Sequence, residues 1–264
     1  MIELKTGDAA ATIDPIGGGR LESLRVGEID LLLTPADDAE DQGHYGAFIM
    51  APWAGRTRKG RFTFEGVEHQ LPINAGAHAM HGTVRDRPWA VEEAGSRRAL
   101  LSCDLGPAWP FAGWVEQLIT LEDDRIELEL SVHTGDDPMP AACGWHPWWR
   151  RTMPGGESAS LDLRAGAMYR RDDEGIAVPE LLRPPPPGPW DDCFTELEAP
   201  QVLRWDDEIA VTIETDCPDL VVFDKLPEAV CVEPQTGPPD ALNHDPFVVD
   251  RDRPLRAMTT WRWS

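Results

Sequence analysis

A single carboxylate, Glu233, follows a short apolar run at 229–232 and precedes a proline-rich segment that contains Pro234, Pro238 and Pro239. Because proline cannot donate a hydrogen bond to a sheet ladder, we expect the strand to end here and the chain to turn. A carboxylate at such a boundary is partly desolvated, which raises its pKa and suits a general base. The alternative is a glutamate at a strand end that simply faces water.

Two histidines, His81 and His146, lie in glycine-rich or apolar surroundings. His146 stands between Trp145 and Pro147, so we expect its ring to be partly buried. Burial lowers the pKa of a histidine and keeps it near the neutral range, where the ring can donate or accept a proton. The alternative is a core histidine that holds one backbone hydrogen bond, and this alternative weighs more heavily for His81 than for His146.

Trp148 and Trp190 offer flat aromatic faces of the kind that stack on the apolar face of a pyranose ring. Packing in the core is nevertheless the more common use of tryptophan. Asp191, which lies between Trp190 and Asp192, could accept hydrogen bonds from sugar hydroxyls. Adjacent aspartates are also typical of turns. A sugar site is therefore one hypothesis for these side chains.

A basic cluster at 55–61, GRTRKGR, interrupts an otherwise acidic chain. Basic runs usually form solvated faces. Arg56 differs from its neighbours because it follows Gly55 and the apolar residues 51–54, which could direct one guanidinium inward.

Alternation between apolar and polar residues dominates the chain. It is clearest over 126–132, where a period of two predicts a strand with one buried face. Residues 61–64 and 67–71 flank Gly66 and predict a tight hairpin. No stretch of about a dozen residues keeps a helical period. We therefore predict an all-β fold, a sandwich or barrel, in a single domain over 1–264.

Two further segments invite a choice between a functional and a structural interpretation. The glycine triplet at 17–19 could suggest a phosphate cradle, but no helix pattern follows it, so we predict a sharp turn or bulge. The proline run at 184–187 could be a domain linker. We predict a surface loop, because the segments on both sides share one composition.

The composition excludes several classes of partner. Lysine and arginine number 24 against 47 aspartate and glutamate residues, and the resulting net charge of −23 disfavours nucleic acid and anionic membrane surfaces. No apolar stretch reaches the ~18 residues of a membrane helix. The five cysteines show no paired C-x-x-C spacing, which fits a reducing compartment. We expect a cytoplasmic protein.

Taken in order, the segments named above resemble one known family over nearly the whole chain. The matching segments are Gly17-Gly18-Gly19, Gly55-Arg56, GRFTFEGVEHQLPIN at 60–74, Met80-His81-Gly82, Trp145-His146-Pro147-Trp148-Trp149, Trp190-Asp191-Asp192-Cys193-Phe194, and the stretch from Glu233 through Pro239-Asp240-Ala241 to Asn243. Their order and spacing are similar to those of the aldose 1-epimerases, also called galactose mutarotases.

This resemblance implies a large antiparallel β-sandwich with its site in a cleft on one sheet. It assigns Glu233 as general base, His146 as general acid, His81 and Arg56 as contacts to the ring and hydroxyls, and Asp191 as a hydroxyl acceptor. The implied reaction exchanges the α and β anomers of a free aldohexose by acid–base ring opening, with no metal or other cofactor. The implied partner is a small-molecule sugar, and the chain is expected to be a monomer or a weak homodimer.

Three departures from the family pattern bear on the substrate. Gly55 stands where many members carry asparagine, Trp145 replaces the asparagine before the catalytic histidine, and a glutamine that contacts sugar is replaced near Val221. The catalytic pair is kept, whereas groups that recognise particular hydroxyls are not. Galactose itself is therefore not implied.

Three alternatives remain open. A non-catalytic sugar-binding module would use the same sandwich and aromatic residues, but it would not need a base and an acid together. A metal hydrolase could use four ligands that are widely separated in the sequence: His81, His146, Asp191 and Glu233. The chain has neither the H-E-x-x-H nor the H-x-H spacing that is typical of such metal sites. A hexose phosphate would be the substrate if Arg150 or Arg151 lined the cleft; we expect a neutral aldose.

Overall fold

The computed structural model describes residues 1–38, 43–153, 156, 158–205 and 209–264. The first strands in chain order are β1 (Ile2–Thr6), β2 (Ala9–Asp14), β3 (Arg20–Val26), β4 (Ile29–Asp30), β5 (Ala47–Met50), β6 (Arg56–Thr57), β7 (Arg61–Phe64), β8 (Val67–Gln70), β9 (Ala79–Met80), β10 (Ala90–Ala94), β11 (Arg98–Asp104), β12 (Gly113–Leu121) and β13 (Arg125–Thr134). The later strands are β14 (Met139–Ala141), β15 (Gly144–Arg150), β16 (Ser160–Asp162), β17 (Ala165–Arg171), β18 (Ala177–Leu182), β19 (Asp191–Leu197), β20 (Gln201–Trp205), β21 (Ile209–Thr215), β22 (Asp219–Phe223), β23 (Ala229–Gln235), β24 (Phe247–Val249) and β25 (Leu255–Trp263).

Helical structure within the described ranges is confined to two short 3₁₀ segments, Arg58–Gly60 and Ala241–Asn243. In those same ranges the chain has no helix of the length and apolar character that a membrane crossing requires.

Two large sheets contain most of the strands. The larger has the order β1-β2-β3-β5-β15-β23-β22-β19-β17-β18, with β4 added to β3, and the smaller has the order β10-β11-β12-β13-β25-β21-β20-β16. The pairs β14-β24, β6-β9 and β7-β8 form separate two-stranded ladders. The strands pair antiparallel.

The two large sheets share one hydrophobic core. Ile126, Leu128 and their alternate neighbours on β13 are buried, as their period of two predicts. Side chains of both sheets belong to the same buried cluster, and Trp149 of β15 meets Trp261 of β25 with ring centroids 4.8 Å apart. Each fully buried large aliphatic side chain contributes about 1.5–3 kcal/mol. The predicted all-β antiparallel sandwich is confirmed.

The turn predictions are also confirmed. β7 and β8 form the predicted hairpin, and Gly66 adopts a φ of +80° in its turn. The glycine triplet forms the turn between β2 and β3. A side chain at Gly18 would place its Cβ 1.8 Å from the backbone carbonyl oxygen of Arg85, so only glycine allows the two segments to approach. The proline run at 184–187 is a largely exposed loop between two strands of the same sheet.

The prediction that the strand ends at Glu233 is wrong. β23 continues through Pro234 to Gln235 and is buried along its whole length. Alternate residues explain this burial: Val230 and Val232 face the sandwich core, whereas Cys231 belongs to a second buried cluster on the opposite face of the sheet. The carboxylate of Glu233 therefore lies within a central strand rather than at its exposed end.

Candidate active site

His146 and Glu233 lie opposite each other on neighbouring central strands. β15 pairs with β23 at Gly144↔Gln235 and Trp148↔Cys231, and the register midway between these pairs places His146 opposite Glu233. Their side chains meet with His146 Nε2 3.2 Å from Glu233 Oε1. Cross-strand neighbours on one face of a sheet are close by geometry, so the sheet itself positions the pair.

Two prolines explain why the ladder opens at this point. Pro147 follows His146 and Pro234 follows Glu233, and neither can donate a backbone hydrogen bond. The paired positions of β15 and β23 resume on either side, at Gly144 and at Trp148. The prolines therefore interrupt the ladder at His146 and Glu233 and do not end the strand.

The pair is enclosed by aromatic rings. His146 is 7% exposed and Glu233 is 3% exposed. The His146 ring stacks on Phe48 and Trp148, with centroid distances of 4.5 and 4.8 Å, and meets the edge of His81 at 5.3 Å. These rings leave little of the imidazole exposed to solvent and hold it in one orientation.

Burial sets the proton affinity of each group. It raises the pKa of Glu233 well above its usual range; Asp191 adds to that rise and Arg56 opposes it. It lowers the pKa of His146 well below its usual range, with further lowering by His81. A pair with no proton or with two would leave an uncompensated buried charge, which is costly. The pair is therefore most stable with one proton.

His81 is held in place by the ladder that carries Arg56. Arg56 of β6 pairs with Met80 of β9, and the His81 N–H donates to the Gly55 carbonyl over 3.0 Å. His81 adopts a φ of +63°, which is uncommon outside glycine and typical of functional sites. Burial, Arg85 and Arg56 lower the pKa of His81 to about 3, so this ring is neutral at neutral pH.

A cavity of about 480 Å³ opens in front of the pair. Six of the seven residues predicted for the site line it: Arg56, His81, His146, Trp148, Asp191 and Glu233. Asp191 pairs with Arg171 at 3.0 Å, and both residues lie on the cavity wall. A sugar of single-ring size fits this volume.

Trp190 is the predicted residue that does not line the cavity. Its ring meets the edge of Phe194 at 5.6 Å, and its indole N–H donates to the Pro186 carbonyl over 2.9 Å. The Trp190 ring is thus directed towards Phe194 and the proline loop, whereas Asp191 lines the cavity. Trp190 thus anchors the proline loop to the end of the sheet.

The basic cluster does not converge on the cavity, because β6 ends at Thr57 and Arg58 begins a 3₁₀ segment. Arg56 lines the cavity, whereas Arg58 forms ion pairs with Asp172 and Glu174 outside the cavity lining. Arg150 pairs with Asp37 at 2.8 Å. Arg151 donates to the backbone carbonyls of three residues, Asp224, Leu226 and Ala229. Neither Arg150 nor Arg151 lines the cavity.

Several cavity residues are not among the predicted site residues, and three of them carry polar groups that could contact a ligand: His44, Arg85 and Gln235. His44 stacks on Trp148 with ring centroids 4.3 Å apart. Gln235 is fully buried, and among the described residues neither atom of its amide has a hydrogen-bond partner. The sequence does carry one indication of a role for Gln235: it lies two residues after Glu233, in the segment that resembles the aldose 1-epimerases. The residues around Arg85 in the sequence do not indicate that it reaches the cavity. Its backbone packs against the turn at Gly18, which is distant along the chain.

Gly55 has a structural explanation. Its φ is +64°, and a side chain there would place its Cβ 2.9 Å from Pro239. The ring of Pro239, which also lines the cavity, therefore packs directly against Gly55 and leaves no room for a side chain there.

The described part of the chain contains one group of side chains that could share a metal ion: His146, Cys231 and Glu233. Their ligand atoms all lie within 4.8 Å of one another. His81 and Asp191, which the metal-hydrolase alternative also required, do not belong to this group.

Comparison with known proteins identifies the family. The family model described as Aldose 1-epimerase matches residues 1–263. Two relatives from Escherichia coli (strain K12) are similar in part. "Uncharacterized protein YihR" is 26% identical over 178 residues, 65% of this chain and 57% of the relative. "Uncharacterized protein YphB" is 28% identical over 122 residues, 45% of this chain and 41% of the relative. The match thus spans less than two thirds of either relative.

Solved structures show the same fold. The GalM/aldose epimerase homologue from C. elegans has a TM-score of 0.87 at 18% identity, covering 100% of this chain and 98% of the other. Galactose 1-epimerase from Lactobacillus acidophilus NCFM has a TM-score of 0.83 at 15% identity, covering 99% and 93%. The sequence match over 1–263 and these similarities of fold agree with the buried acid–base pair. The chain belongs to the aldose 1-epimerase family.

Proposed function

We propose that this protein is an isomerase that interconverts the α and β anomers of a free aldohexose. The observation that supports this most strongly is the buried contact between His146 Nε2 and Glu233 Oε1 at 3.2 Å, which faces a cavity of single-sugar size. A sugar-binding module would have no use for a buried acid–base pair, whose desolvation is costly.

Ring opening requires one proton to leave the sugar and another to reach it. Glu233, as the general base, removes the proton of the anomeric hydroxyl, while His146, as the general acid, protonates the ring oxygen. The bond between the anomeric carbon and the ring oxygen breaks as the anomeric carbonyl forms. Rotation about the adjacent carbon–carbon bond then presents the other face of the carbonyl, and the reverse transfers close the ring.

The proton count of the pair stays constant through this cycle. The cyclic sugar meets ionised Glu233 and protonated His146, and ring opening leaves both groups neutral. Burial favours the neutral forms, whereas the positive charge of Arg56 lowers the pKa of Glu233 and favours its ionised form. Burial is the larger of these effects, and the charge of Arg56 lessens the cost of ionising Glu233 for the proton transfer.

Binding of the sugar is assigned to the other cavity residues. Arg56 and neutral His81 supply hydrogen bonds to the ring oxygen and hydroxyls, and Asp191 accepts from a hydroxyl. Trp148 contributes the aromatic face against which the apolar side of the ring packs. Trp190 is left out of this set because it does not line the cavity.

A hexose phosphate is the second candidate substrate. Arg150 and Arg151 give it no support, because both are held away from the cavity. Arg85 does favour it, because it lines the cavity with Arg56 and both charges lower the pKa of His81. The neutral aldose remains our proposal, since the substrate of the proposed reaction needs no charge.

Polarimetry of freshly dissolved α-anomers tests the proposal. We expect the protein to accelerate the approach of glucose or galactose to anomeric equilibrium well above the spontaneous rate. Glucose phosphate should be compared at low and high salt, because screening over a Debye length of about 8 Å weakens a phosphate–arginine attraction. A strong, salt-sensitive preference for the phosphate would favour the second candidate, and no acceleration with any anomer would contradict catalysis.

A further inference from the structure

Cys231 is a buried thiol beside the acid–base pair that the proposed reaction does not use. It lies on β23 two residues before Glu233, so both side chains are on the same face of the sheet. The register sets it opposite Trp148, which is two residues after His146 on β15. Cys231 is fully buried and packs against Phe48 and Trp148 in the second buried cluster.

The three side chains form a compact set of ligand atoms. The nitrogen, sulfur and oxygen atoms of His146, Cys231 and Glu233 lie within 4.8 Å of one another, and the His146–Glu233 distance is 3.2 Å. In a tetrahedral zinc site the ligand atoms are separated by about 3.3–3.6 Å, given bond lengths of about 2.0–2.3 Å. The histidine and glutamate are therefore already at a suitable separation, and a small movement of the thiol completes the set.

The chemistry of the set favours Zn²⁺ over harder ions. One imidazole nitrogen, one thiolate and one carboxylate oxygen match zinc, whereas Ca²⁺ and Mg²⁺ prefer oxygen ligands. A complex of Zn²⁺ with neutral His146, the Cys231 thiolate and the Glu233 carboxylate has no net charge, which suits a buried position. Three protein ligands leave a fourth position open, and two of the ligands, His146 and Glu233, line the cavity.

We propose that His146, Cys231 and Glu233 bind Zn²⁺ reversibly and that this binding blocks the acid–base pair. Zn²⁺ displaces two protons, one from the Cys231 thiol and one shared by His146 and Glu233, so binding releases two protons to solvent. The metal occupies the two atoms that transfer protons. It is therefore an inhibitor that competes with the sugar, and not a cofactor.

Cobalt titration of the full-length protein, after treatment with a chelator and dialysis, tests the site directly. Co²⁺ bound through a thiolate gives a sulfur-to-metal charge-transfer absorption, which we expect to saturate at one ion per chain and to disappear on addition of Zn²⁺. Cys231→Ala should abolish this absorption and weaken Zn²⁺ binding by more than about tenfold, because even the loss of an outer-shell partner costs about 10–100-fold.

Cys193→Ala is the matched control. Cys193 is also a buried thiol and lines the cavity, but its sulfur is not part of the compact set. Its substitution should leave the absorption and the affinity unchanged. If Cys231→Ala does not fold, Cys231→Ser provides the same comparison with a side chain of similar size. Absence of a thiolate band in the parent protein, or equal losses in the two cysteine variants, would overturn the proposal.

Inhibition of anomer exchange by Zn²⁺ is a second measurement of the site. Unlike cobalt binding, this measurement rests on the proposed function. Micromolar Zn²⁺ should slow anomer exchange in the parent protein and in Cys193→Ala, and a chelator should restore the rate. Cys231→Ala should keep its basal rate and require more than about tenfold more Zn²⁺ for the same inhibition. A protein that binds cobalt through Cys231 without anomerising any sugar would contradict only the proposed function, and one that anomerises without binding cobalt would contradict only the metal site.

Discussion

His146 and Glu233 are cross-strand neighbours whose side chains meet at 3.2 Å, although 86 residues separate them along the chain. Pro147 and Pro234 interrupt the ladder beside them, so the pair sits in a gap in backbone pairing within an otherwise buried sheet. Rigid strands hold both groups, and neither depends on a loop. Precise placement of this kind is what proton transfer requires.

The pH dependence of catalysis should reflect the shared proton. The pKa of His146 lies well below its ordinary value of 6.5, and that of Glu233 lies well above its ordinary value of 4.5. The pair therefore gains a second proton only at a pH well below 6.5. We expect kcat/KM not to fall as the pH is lowered through 6.5, measured by polarimetry in buffers of constant ionic strength. A loss of activity with a midpoint near about 6.5, typical of an exposed histidine, would contradict this account.

Asp191→Asn should weaken sugar binding more than turnover. The carboxylate pairs with Arg171 and faces the cavity, so we assign it to hydroxyl binding rather than to proton transfer. KM should rise while kcat changes little, because an interaction made equally in the ground and transition states affects only KM. Unchanged KM with a lost kcat would instead make Asp191 part of the proton-transfer machinery. The exposed Asp136→Asn is the control for a general charge effect.

Asp219 predicts a pH dependence of stability. Burial raises its pKa from 3.8 to about 6, against hydrogen bonds from Thr195 and Tyr169. The native state thus holds this proton over a pH range in which the unfolded chain has lost it, so the free energy of unfolding falls as the pH rises from 3.8 to about 6. The loss is about 3 kcal/mol.

Asp219→Asn should not show this loss, because the amide does not ionise. Urea unfolding at about pH 4 and about pH 7.5 measures the difference. We expect the variant to gain stability relative to the parent at the higher pH. Identical slopes of unfolding free energy against pH in the two proteins would show that Asp219 is not responsible.

Exhaustive chelation should leave anomer exchange fully active. The proposed reaction uses only side-chain acids and bases, and the metal inferred at His146, Cys231 and Glu233 is an inhibitor. Chelation should therefore maintain or increase the rate, with metal content measured on the same sample. Activity that disappears with the chelator and returns with zinc or calcium would revive a metal-dependent mechanism.

Sequence reasoning succeeded where the information is local. The period of two over 126–132 and the turn at Gly66 depend on neighbouring residues only, and both appear in the structure as predicted. The residues assigned to the catalytic pair also lie together. The error at Glu233 came from treating Pro234 as the end of a strand, whereas antiparallel pairing tolerates a proline wherever its missing N–H faces a gap in the ladder.

Contacts between distant segments could not be predicted. Arg85 reaches the cavity because its backbone packs on the turn at Gly18, and Gln235 became a site residue only because its strand continues. Trp190 does not line the cavity because its ring packs against Phe194 and its indole N–H donates to Pro186, and these contacts depend on the folded sheet. Register and strand boundaries are properties of the folded sheet, and a single sequence carries little information about them.

The rate of mutarotation in Glu233→Gln and His146→Asn tests the central claim most directly. Each change removes one proton-transfer partner, and Glu233→Gln also keeps the side-chain size. Polarimetry of a fresh α-anomer should show a loss of about 10²–10⁴-fold in a variant whose circular dichroism matches the parent. The double variant should lose little more than either single variant, because the two groups act as a unit. A near-normal rate in either folded single variant would contradict the assignment of the His146–Glu233 pair as the catalytic acid and base.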